Sequence, residues 1–369
     1  MARAVARIDL GAIERNCARL AAELGGDSEL CAVVKADGYG HGAEACAEAA
    51  LAGGATRLAV ATGAEAALIG RCFPQVPLLT MGALGAEDLD EALAAGSEVS
   101  VWREGFRELA SARARAQGRP VRVHVKYDTG MGRLGTPDAD EALALARASA
   151  EDPRLDLAGV WTHFATADEP ESDFFEAQLE RFAALAAAVK AEFPGAIAHA
   201  ANSAAVFRDR RSHFDMVRCG IAVYGLDPFQ EDPTERGLEP ALSLRSYVAD
   251  VKRFAAGDSA GYGRTWRAPA DTWVGVLPLG YGDGVRRGLS NAAEVLIRGR
   301  RRPIVGVVSM DNVTVDLGPE MEVEPGDEAI LIGAQGEETI RAEELARRLG
   351  TINYEITCGI SARVPRERA

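Results

Sequence analysis

Short apolar runs rich in β-branched side chains recur along the first two thirds of the chain, separated by segments rich in Ala, Leu, Glu and Arg. The runs are ELCAVV from residue 29, RLAVAT from 57, PLLTMG from 77, SEVSVW from 97, VRVHVK from 121, LAGVW from 157, AIAHA from 196 and MVRCGIAV from 216. Strands that alternate with helices predict parallel βαβ units. About eight such units within about 230 residues favour a closed (β/α)8 barrel over an open doubly wound sheet.

The pattern changes after Pro228. The stretch FQEDPTERGLEP is rich in turn residues, and the segments beyond it alternate apolar and polar residues without long helices. Such alternation is typical of antiparallel sheets. We therefore predict an α/β fold with an N-terminal (β/α)8 TIM-type barrel over residues 1–235, followed by a C-terminal mainly antiparallel β domain over residues 236–369. One short helix, AEELARRLG, is predicted near residue 342.

Composition and charge narrow the class of protein. Hydrophobic residues make up 47% of the chain, enough for a sizeable core, and the formal charge of −14 opposes binding to nucleic acid or to anionic membranes. The six cysteines show no zinc-site spacing, so we expect reduced thiols and no metal. The N-terminus lacks the apolar core of a signal peptide, and no long uncharged apolar run follows. These features predict a cytoplasmic protein with neither a nucleic-acid nor a membrane partner.

The first candidate for chemistry is Lys35, in the stretch AVVKADGYGHG at the carboxyl end of the first predicted barrel strand. Residues at strand carboxyl ends face the active site in such barrels. Partial desolvation there lowers the pKa of a lysine and frees its amine to form a Schiff base. The segment alone also fits an ordinary surface lysine at a strand end.

A second candidate is the loop YDTGMGRLG, which contains the glycine spacing of a dinucleotide-binding fingerprint at residues 130, 132 and 135. That fingerprint must lead directly into the helix whose N-terminus faces the pyrophosphate. Residues 134–138 intervene here, and we expect the helix to begin only near Asp138 or Ala139. A nicotinamide dehydrogenase is therefore the least favoured interpretation.

The stretch VVKADGYGHG resembles the signature of alanine racemases, enzymes that use pyridoxal 5'-phosphate on a barrel followed by a β domain. Further matches follow in the family's order: KYDTGMGRLG from 126, THFATAD from 162, ANS from 201, VRCGIAVYG from 217, AGYGRT from 260, GYGDG from 280, SMDNVTVD from 309 and NYEITCGISARVPR from 353. The resemblance covers nearly the whole chain. It implies interconversion of L-alanine and D-alanine for cell-wall peptidoglycan by a homodimer whose active sites are shared across the interface. It also suggests that residues 1–9 pair with the β domain.

The resemblance assigns the two bases of this reaction. Lys35 would hold the cofactor as a Schiff base and act on one face of the substrate Cα, while Tyr262 of the partner subunit would act on the opposite face. A tyrosine with a pKa of about 10 is a poor base at neutral pH. We therefore expect nearby cations, with His163 and Arg218 as candidates, to stabilise its phenolate. Arg218 would also point at the pyridine nitrogen and leave it unprotonated, which favours racemisation over transamination.

The resemblance also assigns the binding residues. The cofactor phosphate and its surroundings would involve Tyr39, Asn202, Ser203, Gly220, Ile221 and Tyr354. The substrate carboxylate would bind Arg133 and the backbone amide of the partner's Met310, with the glycines of the loop YDTGMGRLG giving Arg133 room to reach the barrel mouth. Lys126 matches a lysine that is carbamylated in some family members. The corridor by which substrate arrives would include Asp168, Tyr281 and Asp311.

The chain departs from the family pattern at two positions. Val307 stands where the family often has arginine, which changes the charge of the substrate corridor, and Gly282 stands where alanine is common. Two other functions remain open at this point: a related barrel racemase or decarboxylase of different specificity, and a non-catalytic pyridoxal phosphate carrier. The tyrosines expected at the inner gate, Tyr262 and Tyr354, favour a small substrate, and the β domain disfavours the carrier.

Overall fold

The computed structural model describes residues 2–369, which begin with strand β1 (Val5–Ile8) and helix α1 (Leu10–Leu24). The chain forms two compact units: a barrel unit, Ile13–Val223, and a β unit that joins residues 2–12 to Tyr224–Ala369. The division lies ahead of the predicted boundary at residue 235. The reason is that residues after Val223 already bond within the β unit, where the amide of Ala241 donates to the carbonyl of Tyr224 at 3.1 Å.

The eight apolar runs are confirmed as eight parallel strands that close into a TIM-type barrel. These strands are β2 (Glu29–Val33), β3 (Arg57–Val60), β4 (Leu78–Thr80), β5 (Glu98–Val101), β6 (Val121–Lys126), β7 (Leu155–Trp161), β8 (Ile197–His199) and β9 (Met216–Cys219). Closure occurs between β9 and β2, where Arg218 lies opposite Cys31. Nearly every residue of these strands is buried, including the polar Glu98 and Ser100 on β5, as expected where helices cover the outside of a parallel sheet.

Helices connect the barrel strands. They are α2 (Lys35–Tyr39), α3 (Ala43–Ala52), α4 (Gly63–Cys72), α5 (Ala86–Ala94), α6 (Glu104–Gln117), α7 (Ala139–Glu151), α8 (Phe174–Glu192) and α9 (Ser203–Arg208). Local capping explains where some of them begin. Thr62 and Glu65 form a capping box at α4, and the Asp138 side chain accepts the amides of Asp140 and Glu141 at α7.

Residues of the predicted site lie at or just after the carboxyl ends of the barrel strands. They are Lys35 after β2, Lys126 at the end of β6, His163 after β7, Ser203 after β8 and Gly220 after β9. Because all eight strands are parallel, these positions share one end of the barrel. This is the end at which barrels of this type carry their active sites.

The β unit confirms the predicted mainly antiparallel domain. Its strands are β10 (Leu242–Tyr247), β11 (Asp250–Phe254), β12 (Ser259–Ala260), β13 (Trp266–Arg267), β14 (Thr272–Leu277), β15 (Glu294–Ile297), β16 (Arg300–Pro303), β17 (Val313–Gly318), β18 (Glu328–Gln335), β19 (Glu338–Ile340) and β20 (Arg366–Arg368). The largest sheet has the order β16-β15-β18-β10-β1-β20, with β19 beside β18. A second sheet has the order β11-β14-β17, and β12 pairs with β13.

Strand β1 joins the β unit by pairing antiparallel with β10 and parallel with β20. The predicted helix near residue 342 is α10 (Ala342–Leu349), and a further helix, α11 (Asn353–Cys358), follows it. All six cysteines are free thiols. Within residues 2–369, no helix combines the length and apolar character needed to cross a bilayer.

Candidate active site

Lys35 begins a turn of unusual backbone conformation after β2. Residues 36–39 have φ angles of 51°, 53°, 61° and 53°, so α2 is a single turn of left-handed helix. This conformation costs each residue other than glycine roughly 1–2 kcal/mol, because Cβ approaches the following carbonyl oxygen. Strain of this kind persists only where surrounding contacts hold it, and it collects at functional sites.

Two carboxylates hold the left-handed turn. Glu65 Oε1 accepts the N–H of Ala36 at 2.7 Å, and Glu65 Oε2 accepts at 2.8 Å the N–H that follows β3. Asp37 Oδ1 accepts the N–H of Ala43, at the start of α3, at 2.9 Å. The backbone beside Lys35 is therefore tied both to the neighbouring strand and to the next helix, so the lysine side chain starts from a fixed point.

Tyr39, at the end of the same turn, packs its ring against Gly220. A Cβ at position 220 would lie 2.8 Å from Tyr39 Cζ and still closer to the hydroxyl. The amides of Gly220 and Ala222 both donate to Ser203 Oγ, at 3.0 and 3.4 Å. The Tyr39 hydroxyl, the Ser203 hydroxyl and the two amides bonded to it therefore form a small cradle of uncharged polar groups near the ends of β8 and β9.

The other residues predicted for this corner take different positions. Asn202 caps α9 by accepting the amide of Ala205 at 3.0 Å. Ile221 is fully buried next to the cradle, whereas Asp168 is exposed in the loop after β7. Tyr354 is half-buried in α11 of the β unit. Of these residues, Asn202 and Ile221 lie at the cradle, because Asn202 directly precedes Ser203 and Ile221 directly follows Gly220.

Arg218 is a buried cation on the last barrel strand. Its Nη1 donates to His199 Nδ1 at 2.9 Å, and its Nη2 donates to the carbonyls of Thr162 and Ala200 at 2.8 and 3.0 Å. Burial lowers the pKa of Arg218 to about 10, so the side chain stays charged at neutral pH. Its orientation is fixed by several acceptors, which suits a group that must present one N–H in one direction.

His163 lies beside Arg218 but differs from the cation predicted from the sequence. Burial, and then the charges of Arg218 and Arg133, lower the pKa of His163 well below its usual value. Arg218 Nη2 lies 3.4 Å from His163 Nδ1, and a guanidinium can only donate. His163 is therefore a neutral ring with its proton on Nε2, and Arg218 is the cation that contacts it.

Lys126, the last residue of β6, is fully buried. The pKa of Lys126 is lowered to about 7, mainly by burial and next by the charge of Arg218. Its Nζ lies 4.6 Å from the centre of the Trp161 ring and has no hydrogen-bond partner within residues 2–369. A buried, partly neutral amine without a hydrogen bond is both costly and reactive, which is the state from which a lysine takes up carbon dioxide.

The loop that carries Arg133 is folded around Asp128. The carboxylate accepts the amides of Gly130, Met131 and Arg133 at 3.1, 2.7 and 3.1 Å. A Cβ at position 130 would overlap the ring of Phe174, so the glycine is needed for close packing. Helix α7 begins only at Ala139, which confirms that this loop does not lead into a helix as a dinucleotide fingerprint requires.

In the β unit, three of the predicted residues are exposed. Tyr262 has 73% of its surface exposed and Met310 has 52%, while Tyr281 is also exposed. Their loops adjoin: the amide of Tyr281 donates to Ser309 at 3.0 Å, and position 261 lies against the backbone of Val307. Asp311, in the same group of loops, accepts Arg363 Nη2 at 2.7 Å. Large apolar side chains grouped at a surface in this way mark an interaction site.

Gly282, one of the two departures from the family pattern, has a direct structural consequence. A Cβ at this position would overlap the guanidinium of Arg363. Arg363 in turn pairs with Asp311 and lies 3.6 Å from Asp283. The missing methyl group therefore makes room for the guanidinium of Arg363, whose charge is balanced by Asp311 and Asp283.

Several residues that support this site were not predicted from the sequence. Gln178 on α8 is fully buried, donates to Thr129 Oγ1 at 3.0 Å and accepts the amide of Ala165 at 2.8 Å. His124 and His199 lie inside the barrel beside the candidate residues. The signal was present for His124, because it stands two residues before Lys126 on one strand and must therefore share its face.

The barrel residues fit pyridoxal phosphate on two observations. The cradle of uncharged polar groups around Ser203 lies on the loops after the last two strands, where barrels bind phosphate. The Nζ of Lys126 is buried near the cation Arg218 and has no hydrogen-bond acceptor within residues 2–369. This indicates room for an additional acceptor or anionic group. Lys35 is the residue that would hold the cofactor, and Arg218, His163 and Tyr39 would contact it.

A closed barrel with a lysine after its first strand and an arginine on its last, followed by an antiparallel β unit, defines the class of barrel enzymes that racemise or decarboxylate amino acids. The chain belongs to the alanine racemase family: the family models "Alanine racemase, N-terminal domain" and "Alanine racemase, C-terminal domain" match residues 8–228 and 241–368. The resemblance found in the sequence is thus confirmed.

Individual relatives agree over nearly the full length. Alanine racemase of Symbiobacterium thermophilum is 44% identical over 98% of this chain and 96% of its own, and alanine racemase 1 of Bacillus subtilis is 40% identical over 98% and 92%. The solved alanine racemase of Streptomyces coelicolor superposes with a TM-score of 0.93 at 39% identity, covering 99% of this chain and 98% of its own. The enzyme from Bacillus anthracis, solved with bound L-Ala-P, gives 0.89 at 38% identity, covering 100% of this chain and 95% of its own.

Proposed function

We propose that this protein interconverts L-alanine and D-alanine with pyridoxal 5'-phosphate held by Lys35. The observation that carries the proposal is the strained left-handed turn, which begins at Lys35 and ends at Tyr39, whose ring packs against Gly220 beside Ser203. Full-length similarity to named alanine racemases supports the substrate. The proposed activity makes the protein an isomerase.

When bound, pyridoxal phosphate draws electron density from the substrate Cα and makes its proton removable. The Lys35 amine takes or returns this proton on one face, and the Tyr262 phenol of a second subunit does so on the other. His163, as a neutral donor oriented by Arg218, hydrogen-bonds the phenol and stabilises its charged form. Arg133 binds the planar substrate carboxylate through its guanidinium fork, assisted by the amide of Met310 from the second subunit.

Alanine at position 220 is expected to weaken binding of pyridoxal phosphate about tenfold, because the added methyl group displaces the Tyr39 ring from the cradle. Absorbance titration of the apoprotein measures this affinity. Gly195→Ala is the matched control, since a Cβ there meets no atom within 4 Å. Equal affinity of the two variants would contradict the cradle.

Lys126 is expected to be carbamylated, because its neutral amine can add to carbon dioxide and the resulting anion would face Arg218 and Arg133. Carbon-13 NMR of protein in labelled bicarbonate should show one carbamate signal that strengthens as the pH rises through about 7. Lys126→Gln should remove the signal, and Lys252→Ala, at an exposed site, should keep it. Absence of the signal in the parent chain would contradict the expectation.

An Arg218→Glu variant is expected to raise transamination relative to racemisation. A carboxyl group there would share a proton with the ring nitrogen and so strengthen the cofactor as an electron sink, whereas arginine leaves the nitrogen unprotonated. The ratio of pyruvate to D-alanine formed from L-alanine is the measurement. An unchanged ratio, with Arg253→Glu on the exposed surface as the control, would count against this role.

The proposed assembly is a homodimer with active sites shared across its interface. The exposed loops of Tyr262, Tyr281 and Met310 support this arrangement, because their side chains are suited to contact with a second copy. Asp168, Tyr281 and Asp311 are proposed to line the corridor by which substrate arrives. A cytoplasmic location and a role in supplying peptidoglycan with D-alanine stay predictions.

The deciding experiment is to incubate the protein with pyridoxal phosphate and L-alanine and to follow D-alanine by chiral chromatography. Formation of D-alanine, with a higher kcat/KM for alanine than for serine or lysine, is the expected result. A higher value for another amino acid would indicate a related racemase of different specificity. Cofactor binding with neither D-alanine formation nor deuterium exchange at Cα would identify a carrier and contradict the proposal.

A further inference from the structure

A column of polar side chains crosses the interior of the barrel, a space that branched apolar residues usually fill. The column begins at Glu98, the first residue of β5, continues through His124 on β6 and His199 on β8, and ends at Arg218 on β9. All four residues are at most 4% exposed. Such a column is costly unless each member is hydrogen-bonded, so its presence calls for a functional reason.

The hydrogen bonds are continuous and have one direction. His124 Nε2 lies 2.7 Å from Glu98 Oε2, His124 Nδ1 lies 2.9 Å from His199 Nε2, and His199 Nδ1 lies 2.9 Å from Arg218 Nη1. Because the guanidinium can only donate, His199 Nδ1 must accept. A neutral His199 then donates from Nε2 to His124, and His124 donates from Nε2 to the carboxylate. Every proton of the chain therefore has one position.

The electrostatics agree with this order. Burial lowers the pKa of His124, and burial followed by the charge of Arg218 lowers the pKa of His199, so both rings are neutral. Burial alone would raise the pKa of Glu98, but the hydrogen bond from His124 and the neighbouring guanidinium groups outweigh it and lower the pKa to about 2. A carboxylate thus faces a guanidinium across two neutral rings.

We propose that Glu98, acting through His124 and His199, is a positioning residue that holds Arg218 as a fixed hydrogen-bond donor toward the cofactor's ring nitrogen. This inference rests on the role of Arg218 in the proposed function. With the other tautomer of His199, two N–H groups would face each other across 2.9 Å and Arg218 would turn away. A carboxylate that hydrogen-bonds a metal-bound histidine fixes the tautomer and the orientation of its ring. In the same way, the hydrogen bonds from Glu98 through His124 to His199 fix the histidine tautomers and thereby the orientation of Arg218.

Glu98 also belongs to an ion-pair cluster at the amino ends of the strands. It pairs with Arg122 and with Arg57 Nη1, the latter at 3.1 Å, and Glu29 pairs with the same Arg57. Glu29 has no place in the hydrogen-bond chain that leads to Arg218. A purely structural role for the cluster would therefore give Glu98→Gln and Glu29→Gln the same kind of effect, on stability alone. Glu29→Gln is the matched control.

Nitrogen-15 NMR of labelled histidine in the holoenzyme should show His124 and His199 neutral, each with its proton on Nε2. Glu98→Gln should mix the tautomers and lower kcat about tenfold. The same variant should change KM for alanine less than about twofold, since Arg218 does not bind the substrate carboxylate. Glu29→Gln should keep the parent spectra and the parent kcat.

His124→Gln provides a second test, because it interrupts the chain and leaves the ion pairs of Glu98 in place. The His124→Gln variant should show the same loss of kcat, and it can be tested if the Glu98→Gln variant folds poorly. A proton on Nδ1 of His199 in the parent enzyme, or parent kcat in both variants, would overturn the proposal. A parent enzyme that binds pyridoxal phosphate but forms no D-alanine would defeat the proposed function instead, and the histidine spectra would still decide the order of the protons.

Discussion

A Lys35→Ala variant is expected to convert L-alanine to D-alanine about 10⁴-fold more slowly than the parent protein, because it loses both the covalent anchor of the cofactor and one of the two bases. The left-handed turn fixes the backbone from which this side chain extends, so a lysine at a neighbouring position would start from a different direction. The rate of D-alanine formation at saturating pyridoxal phosphate is the measurement.

Lys252→Ala is the matched control for this loss. Lys252 lies on β11, where its exposed side chain pairs with Asp250, so its removal should leave the rate unchanged. Soaking the Lys35→Ala variant in methylamine should restore part of the activity, since a free amine can enter the space of the missing side chain. Racemisation within tenfold of the parent rate without added amine would remove Lys35 from the reaction.

A Tyr262→Phe variant is expected to lose racemisation by about 10²–10⁴-fold while keeping exchange at Cα for one enantiomer. With one base left, a proton can be removed and returned on the same face but not delivered to the other. Deuterium incorporation from heavy water, followed separately for L-alanine and D-alanine, gives the measurement. Equal exchange of both enantiomers would show that a group other than Tyr262 serves the second face.

Mixing this variant with Lys35→Ala tests whether the two residues come from different subunits. Each variant alone keeps at most about 1% of the parent activity, but a mixed dimer would contain one site with both Lys35 and Tyr262 intact. Random exchange of subunits should therefore restore about a quarter of the parent activity. No recovery after proven subunit exchange would mean that each site draws both residues from one chain. Phenylalanine at Tyr247, a half-buried tyrosine in the sheet of the β unit, is the control substitution.

The sequence predicted the barrel well because its strands are buried on both faces. Runs such as LAGVW and MVRCGIAV are mostly apolar and buried, and the helical segments between the runs favour parallel pairing. For the β unit, the sequence predicted a mainly antiparallel sheet structure but not the order of the strands in the sheets. Strand β1 pairs with β10 and β20, which are far from it in sequence, and no local pattern in these three segments indicates the pairing.

The candidate site was predicted as a set of residues rather than as an arrangement. Lys35, Arg218 and Ser203 stand at strand ends, which a pattern of strands can locate. The left-handed turn was not predictable, because neither Ala36 nor Asp37 has a strong preference for positive φ. The neutral state of His163 depends on burial and on cations distant in sequence, so it too required the folded structure.

The left-handed turn also sets a limit on engineering this enzyme. An Ala36→Gly variant would adopt the same φ without the steric penalty, so it would gain resistance to heat. Position 37 differs, because the Asp37 carboxylate also accepts the amide of Ala43 and glycine would remove that bond. The glycine at position 36 would widen the range of positions open to the neighbouring amine, and turnover would fall. Thermal robustness and catalytic speed are therefore in opposition at Ala36, and a search for stabilising substitutions should be directed elsewhere in the chain.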